Sequence, residues 1–126
     1  MKMAIEHIRL SKKAKDQLIR LKATTGIQQW NILCRWAFCL SLSEKSTPAP
    51  IKIVTDSNVE MSWKVFGGEY ADIYYGVLKE RCLQDGLKLD SHTLSEQFKL
   101  HLHRGISYMA GNKKIKETKD LVSLVS

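Results

Sequence analysis

Residues 5–43 read IEHIRLSKKAKDQLIRLKATTGIQQWNILCRWAFCLSLS, and this stretch decides the fold. It begins with a short alternating segment in which Glu6, Ile8 and Leu10 point one way and Ile5, His7 and Arg9 the other. Ser11 follows, a side chain suited to accept from an orphan N–H at a helix start. Ala14, Leu18 and Leu21 then recur at helical spacing. Thr24-Thr25-Gly26 ends that helix, because glycine takes the left-handed conformation of a C-terminal stop at little cost. A second helix starts near Ile27 or Gln28. Trp30, Leu33, Cys34 and Ala37 occupy one face, and Ile32, Trp36, Phe38 and Leu40 cover much of the rest. A helix apolar nearly all round is buried on several sides. In a chain this small, that predicts burial partly against another copy.

Outward from this stretch, the chain has 126 residues, which predicts one domain with a modest core. We divide it into a basic strand-helix-helix part (1–45), a hairpin with two helices (46–111) and a basic tail (112–126). The fold class expected is mainly α, with a small β-hairpin in the middle. No apolar run approaches the ~20 residues that span a bilayer. The start MKMAIEHIRL carries charges too early for a signal peptide. A cytoplasmic protein is expected, with no membrane contact.

The net charge is +7, and it is unevenly spread. Residues 1–45 hold nine basic and three acidic side chains, whereas residues 46–90 hold five and seven. Residues 91–126 hold six and three. A regional basic surplus is an electrostatic footprint for a polyanion, nucleic acid being the commonest. It is equally the charge of an ordinary soluble basic protein. Lys12, Lys13 and Lys15 crowd the first turn of the first helix, where the helix dipole disfavours cations by about 0.3–1 kcal/mol each. A phosphate would gain from that arrangement, since free N–H groups and ammonium groups would converge on it. The bland alternative is a solvated turn at small cost. Arg20 and Lys22 continue the polar face. His7 and Arg9 share a face of the extended segment and would read base edges if it formed a groove-bound ribbon. Lys113, Lys114 and Lys116 open the tail as a second phosphate-contacting patch or a solvated run. Arg35, inside the apolar helix, pairs with an acid or snorkels to solvent.

Beyond residue 42 the run SEKSTPAP breaks helix formation and holds the chain extended. Residues 51–55 (IKIVT) read as a strand, and Asp56-Ser57-Asn58 as a turn. Val59, Met61, Trp63 and Val65 alternate with Glu60, Ser62, Lys64 and Phe66, completing a hairpin. Gly67-Gly68 lacks the lysine and spacing of a nucleotide loop, and Glu69 and Asp72 would repel phosphate. A helix over 69–84 carries Tyr70, Ile73, Val77 and Leu78 as its apolar stripe and stops at Gly86. Asp90 is a candidate N-cap for a last helix, with Thr93 to Glu96 as a capping-box alternative. That helix buries Leu94, Phe98, Leu102 and Ile106, and Gly105 leaves room for a close neighbour.

Catalytic signals are absent: no triad, no nucleotide loop, no paired carboxylates in a recognisable arrangement. No cofactor is implied. His101 and His103 are two apart, so they lie on different helix faces and make a poor metal pair. Cys34, Cys39 and Cys82 are odd in number, and two sit in the apolar helix as free thiols.

Strand, basic helix, turn and apolar helix in one short run resemble a ribbon-helix-helix half-domain, a shape that needs a second chain to complete its two-stranded ribbon. The run IRLSKKAKDQLIRLKATTGIQQWNILCRWAFCLSLSE more closely resembles the DNA sulfur-modification protein DndE family. The runs EMSWKVFGGEYADIYYGVLKERC and LSEQFKLHLHRGISYMAG are similar to it as well. Together they cover most of the chain up to Gly111, and the tail after Asn112 lies outside the resemblance. The resemblance implies a part in DNA phosphorothioation, in which sulfur replaces a non-bridging backbone oxygen. It implies a non-catalytic subunit that binds duplex DNA, favours a nicked duplex, and acts with sulfur-transferring and ATPase subunits as a homo-dimer or tetramer. Two other readings remain at this point: a ribbon-helix-helix repressor using His7 and Arg9, and a relay carrying a persulfide on one of the cysteines.

Overall fold

The computed structural model describes residues 5–111. In chain order these form β1 (His7–Arg9), α1 (Lys12–Thr25), α2 (Trp30–Ser43), β2 (Glu60–Ser62), α3 (Trp63–Gly67), a 3₁₀ turn (Gly68–Tyr70), α4 (Ala71–Gln84) and α5 (Ser91–Gly111). Among the described residues the fold is mainly helical, with one small two-stranded antiparallel sheet. The expected tail patch, Lys113, Lys114 and Lys116, lies outside the described residues.

The caps fall where the side-chain chemistry places them. Ser11 Oγ accepts from the Ala14 N–H at 3.1 Å, and Gly26 closes α1 with φ of 79°. Asp90 Oδ1 accepts from the Thr93 N–H at 2.8 Å and starts α5. Leu94, Phe98, Leu102 and Ile106 are all buried. α5 is the central element. It packs mainly along α2, and Gly105 is the closest point. A Cβ built on Gly105 would lie 1.7 Å from the Ala37 carbonyl oxygen, so only glycine admits this approach. The all-round apolar surface of α2 is thus answered largely within the chain: Leu33, Cys34, Ala37, Phe38 and Ser41 are buried under α5 and α3. Trp30, Trp36, Leu40 and Leu42 are only partly buried by this packing.

The ribbon also differs from the ribbon-helix-helix expectation. β1 pairs with β2 of the same chain, in the register His7 with Ser62, Ile8 with Met61 and Arg9 with Glu60. The pairing continues through Leu10, whose N–H donates to the Val59 carbonyl and whose carbonyl accepts from the Ser57 N–H, each at 3.1 Å. Ile5 joins Ile8 and Leu10 in the core, and Glu6 lies outside, which breaks the simple alternation. Residues 51–55 are not a strand, because β1 has already turned into α1 where their partner would be. The period of two is real from Val59 to Trp63 and ends there. Val65 is exposed while Phe66 is fully buried, since Ser62 caps α3 by accepting from the Val65 N–H. The short helix brings Trp63 and Phe66 together on one side, where they meet Phe98 at 4.9 and 5.0 Å between ring centroids. Edge-on ring packing of this kind adds about 0.5–1.5 kcal/mol per pair beyond area burial.

α4 is rotated from the expected stripe. Leu78, Arg81 and Cys82 face inward, while Tyr70, Ile73 and Val77 are exposed. Arg81 sets that rotation. Its guanidinium donates to the carbonyls of Leu42 (2.8 Å), Glu44 (2.7 Å) and Ser46 (2.9 Å), capping the C-terminal end of α2, while Asp85 neutralises it at 3.1 Å. Arg35 does similar work elsewhere, donating to the Phe66 carbonyl and, at 3.3 Å, to that of Val65. It follows neither of the two routes that the sequence leaves open, an acidic partner or mere reach to solvent.

Replacing Gly105 with alanine should cost more than the ~1–3 kcal/mol of ordinary overpacking, because the obstacle is backbone. Gly76→Ala is the internal control. Nothing lies within 4 Å of its added Cβ, and it should gain roughly 0.5–1 kcal/mol. Urea unfolding of the two variants measures both, and equal midpoints would contradict the packing.

Candidate nucleic-acid interface

The start of α1 is tied down from three sides. The Ser11 N–H donates to His103 Nε2 at 3.2 Å, the Lys12 N–H donates to Asp56 Oδ1 at 3.0 Å, and Ser11 Oγ takes the Ala14 N–H. His103 Nδ1 donates to the Lys99 carbonyl at 2.8 Å, which leaves Nε2 as the acceptor and fixes the neutral tautomer. The idea that free N–H groups here converge on a phosphate is therefore corrected, since protein acceptors hold most of them. Asp56 also resolves the oddity of three lysines at the positive end of a dipole, because a carboxylate there is favourable.

The ammonium groups remain. Lys12 and Lys13 are exposed, and Arg20 lies exposed further along the same helix. Lys13, Asp16, Gln17, Ile19 and Arg20 line a shallow depression on it. Lys15 is half-buried and donates to Asn58 Oδ1 at 2.6 Å. Lys22 lies 3.5 Å from the Trp30 ring centroid, a cation–π contact that holds it against the helix junction. His7 and Arg9 are exposed on the outer face of the ribbon, as expected, but Glu60 lies beside them. Arg9 Nη2 is 2.9 Å and His7 Nδ1 3.8 Å from its carboxylate oxygens. A base edge would have to compete with that acid.

One cation escapes sequence reasoning. Lys52 lines the same cavity as Lys12 and Lys13, of about 540 Å³, although forty residues separate them in sequence. Periodicity carries no such signal. Arg104 also borders the cavity, but its guanidinium is engaged with the Ser41 carbonyl and hydroxyl and with the Ser46 carbonyl, each at 2.9 Å.

The geometry speaks against serine, histidine and cysteine chemistry. Ser41 Oγ and His101 Nδ1 are 2.8 Å apart, yet both residues are fully buried and Ser41 Oγ also accepts from Arg104 Nε. No substrate reaches that pair. Burial, with the nearby guanidinium groups of Arg104 and Arg81, holds the His101 imidazole down at about 4. Burial pushes Cys34 up to about 12 and raises Cys39 and Cys82 as well. A sulfur relay needs the opposite shift. Among the described residues, no group of three or more His, Cys, Asp or Glu is placed to hold a metal, and no helix is long and apolar enough to cross a membrane.

The fold has counterparts among known proteins. The family model of the DNA sulphur modification protein DndE matches residues 7–117, which is most of the chain. The chain belongs to the DndE family. The match runs six residues beyond Gly111, the last residue covered by the sequence resemblance. Among solved structures, the chain is similar to DndE from Escherichia coli B7A, described as involved in DNA phosphorothioation modification. The TM-score is 0.71 at 27% identity, covering 86% of this chain and 99% of that one. It is also similar to a DndE G21/24K mutant involved in DNA phosphorothioation, with a TM-score of 0.65 at 26% identity, covering 85% and 98%. No curated protein matches the chain. As a DndE family member the chain is thus placed in DNA sulfur modification, on a scaffold whose lysine-rich helix start is solvent-facing.

The His101 setting makes a pH prediction. The unfolded chain protonates this imidazole near 6.5, and the folded chain only near 4. The neutral form therefore contributes stability above pH 6.5, and that contribution is lost as pH falls from 6.5 toward about 4. The groups facing it are Ser41 on α2, Arg81 on α4, Asp85 just past the end of α4, and Arg104 on α5. The full loss is on the order of 3 kcal/mol. Urea unfolding across pH should show the decline beginning while ordinary carboxylates, with pKa values near about 4, are still ionised. A flat profile from 6.5 to 5 would contradict it.

Proposed function

We propose that this chain is the DNA-binding, non-catalytic subunit of a cytoplasmic phosphorothioation system, contacting duplex backbone through the exposed first turn of α1. The observation that carries the reading is the pairing of Lys12 and Lys13, solvent-facing and without a salt-bridge partner among the described residues, with Lys52 across one cavity. A modification of the backbone needs phosphate contacts that fix register, not base readout. Lys15, Arg20 and Lys22 extend the basic strip, and Lys113, Lys114 and Lys116 add charge from the tail. His7 and Arg9 contribute as flanking contacts, tempered by Glu60. A nicked duplex bends more easily at one step, so a rigid basic oligomer reaches phosphates on both sides at lower deformation cost.

Self-association and partner docking use a different surface. Val65, Tyr70, Ile73 and Val77 are exposed large apolar side chains on α3, the 3₁₀ turn and α4. Such a patch favours a homo-dimer or tetramer contact. It leaves the lysine face open to DNA, with the sulfur-transferring and ATPase subunits joining the assembly.

The double variant Lys12→Gln/Lys13→Gln separates binding from folding. Removing cations from the first turn should raise stability by a few tenths of a kcal/mol or more. The same change should weaken duplex binding, with the slope of log affinity against log salt falling by about 0.9 for each phosphate no longer neutralised. Titrations on intact and singly nicked duplexes complete the test, with tighter binding expected to the nicked one. Unchanged salt slope would remove the site assignment, and equal affinities would remove the nick preference.

A further inference from the structure

Residues 51–56 form a strap beside the start of α1, and both of its ends are fixed. Upstream, the Ser46 carbonyl accepts from Arg81 and Arg104, each at 2.9 Å, and Pro48 is buried. Downstream, Asp56 Oδ1 holds the Lys12 N–H at 3.0 Å, and the Ser57 N–H donates to the Leu10 carbonyl at 3.1 Å. Between these anchors burial alternates: Ile53 and Thr55 are half-buried, Lys52 and Val54 exposed. That is the period of an extended strand. Yet among the described residues no hydrogen bond engages the backbone of residues 52–55. Ile51 and Val54 are 63% and 60% exposed. The cavity of about 540 Å³ lies against this strap. Its floor is aliphatic, from Ala14, Ile53 and Leu100, and the exposed Lys12, Lys13 and Lys52 stand at its rim. Asp56 also borders it, but its carboxylate already takes the Lys12 N–H.

We propose that this groove receives an extended segment of a protein partner in which acidic and apolar residues alternate, added as a strand along residues 52–55. An unpaired edge offers main-chain donors and acceptors to an incoming strand, and its four residues give about 13 Å of pairing length. Alternate side chains of the added strand fall on opposite sides. Apolar positions on one side then meet the aliphatic floor, and carboxylates on the other meet the lysines of the rim. The fixed ends hold the edge extended before the partner arrives, which lowers the ordering cost of binding. Nucleic acid suits the cavity less well. No Phe, Tyr or Trp among the described residues lines it, so bases find no stacking platform. A second copy of the chain suits it less well too, because two straps paired about a two-fold axis would set their lysines against each other. The groove is thus a second docking surface, apart from the patch on α3 and α4. Filling it covers Lys12 and Lys13, so an acidic segment bound here excludes a duplex from the first turn of α1. That exclusion rests on the DNA reading above, whereas the docking stands on the groove and strap alone.

A synthetic Glu-Val-Glu-Val-Glu-Val peptide, titrated onto the full chain without DNA, tests the docking by hydrogen exchange. Amides among residues 52–55 should exchange freely in the unliganded chain and about tenfold slower or more with the peptide bound. A Lys-Val-Lys-Val-Lys-Val peptide should not slow them. Glu-Val peptides N-methylated on alternate residues should, in one of the two phases, bind about tenfold more weakly or worse, because the ladder is broken. In Lys52→Glu, a change at an exposed side chain, the preference for the acidic peptide should shrink several-fold. Absence of slowing with the acidic peptide overturns the docking, and affinity indifferent to methylation in both phases overturns strand addition. An unchanged preference in Lys52→Glu removes Lys52 as the group that reads the acid. Equal slowing by a short oligothymidylate makes the occupant nucleic acid and sinks the proposal. Protection already present without peptide sinks it too, since the edge is then taken by the chain itself or, where protection fades on dilution, by a second copy. The peptide should also displace a bound duplex. Docking without displacement upholds the groove and overturns the exclusion, and a duplex that never binds overturns the DNA reading and the exclusion but not the docking.

Discussion

The backbone-to-backbone approach of α5 on α2 at Gly105 and Ala37 is the contact on which the other elements depend. Two helices this close present a narrow seam, and the side chains on either side of it decide what else can attach. Phe38 and Phe98 meet at 5.1 Å and make a platform on which Trp63 and Phe66 sit. Ser41 and His101, a turn away, carry the polar end of the same seam, and Arg81 and Arg104 close it over the last carbonyls of α2. Breaking a buried, carbonyl-capping arginine leaves acceptors without partners, which costs more than the bonds themselves contribute. The two arginines are thus structural, whereas Lys12 and Lys13 on α1 and Lys52 on the 51–56 segment share one cavity.

That grouping of lysines links the fold to its proposed role. The basic helix α1 packs chiefly on α5, and α4 lies on other contacts of the same helix pair. Lys12 and Lys13 on α1 and the exposed Tyr70, Ile73 and Val77 lie on different elements, so assembly through the latter and contact with a polyanion through the former need not compete. The cost is local: α1 begins with three lysines against its own dipole, offset by Asp56 and His103 from distant parts of the chain.

Much of this was legible from the sequence where one residue type has one job. Ser11 and Gly26 bound α1, Asp90 started α5, and the stripe from Leu94 to Ile106 announced its buried face. The resemblance in the first forty residues gave the family. Reading failed where a long-range partner decided the outcome. Tyr70, Ile73 and Val77 form a proper helical stripe, but Arg81 must reach α2 and turns the helix the other way. Residues 51–55 have strand composition but no neighbour within the described fold. Phe66 breaks the period of two only because Ser62 caps a helix. Lys52 joins Lys12 and Lys13 through tertiary structure alone, and nothing in spacing could have found it.

The ribbon that closes within one chain has a kinetic consequence. β1 and β2 are separated by some fifty residues, so their pairing carries a large loop-closure entropy and is expected late in folding, after the α2–α5 seam supplies a surface for Ile8 and Met61. Asp56 and Asn58 belong to the same late-arriving segment, and they are the groups that hold Lys12 and Lys15 in place. The lysine-bearing turn would therefore take its final form only once the longest-range contact is made, so a nascent or partly opened chain carries the charge without the geometry.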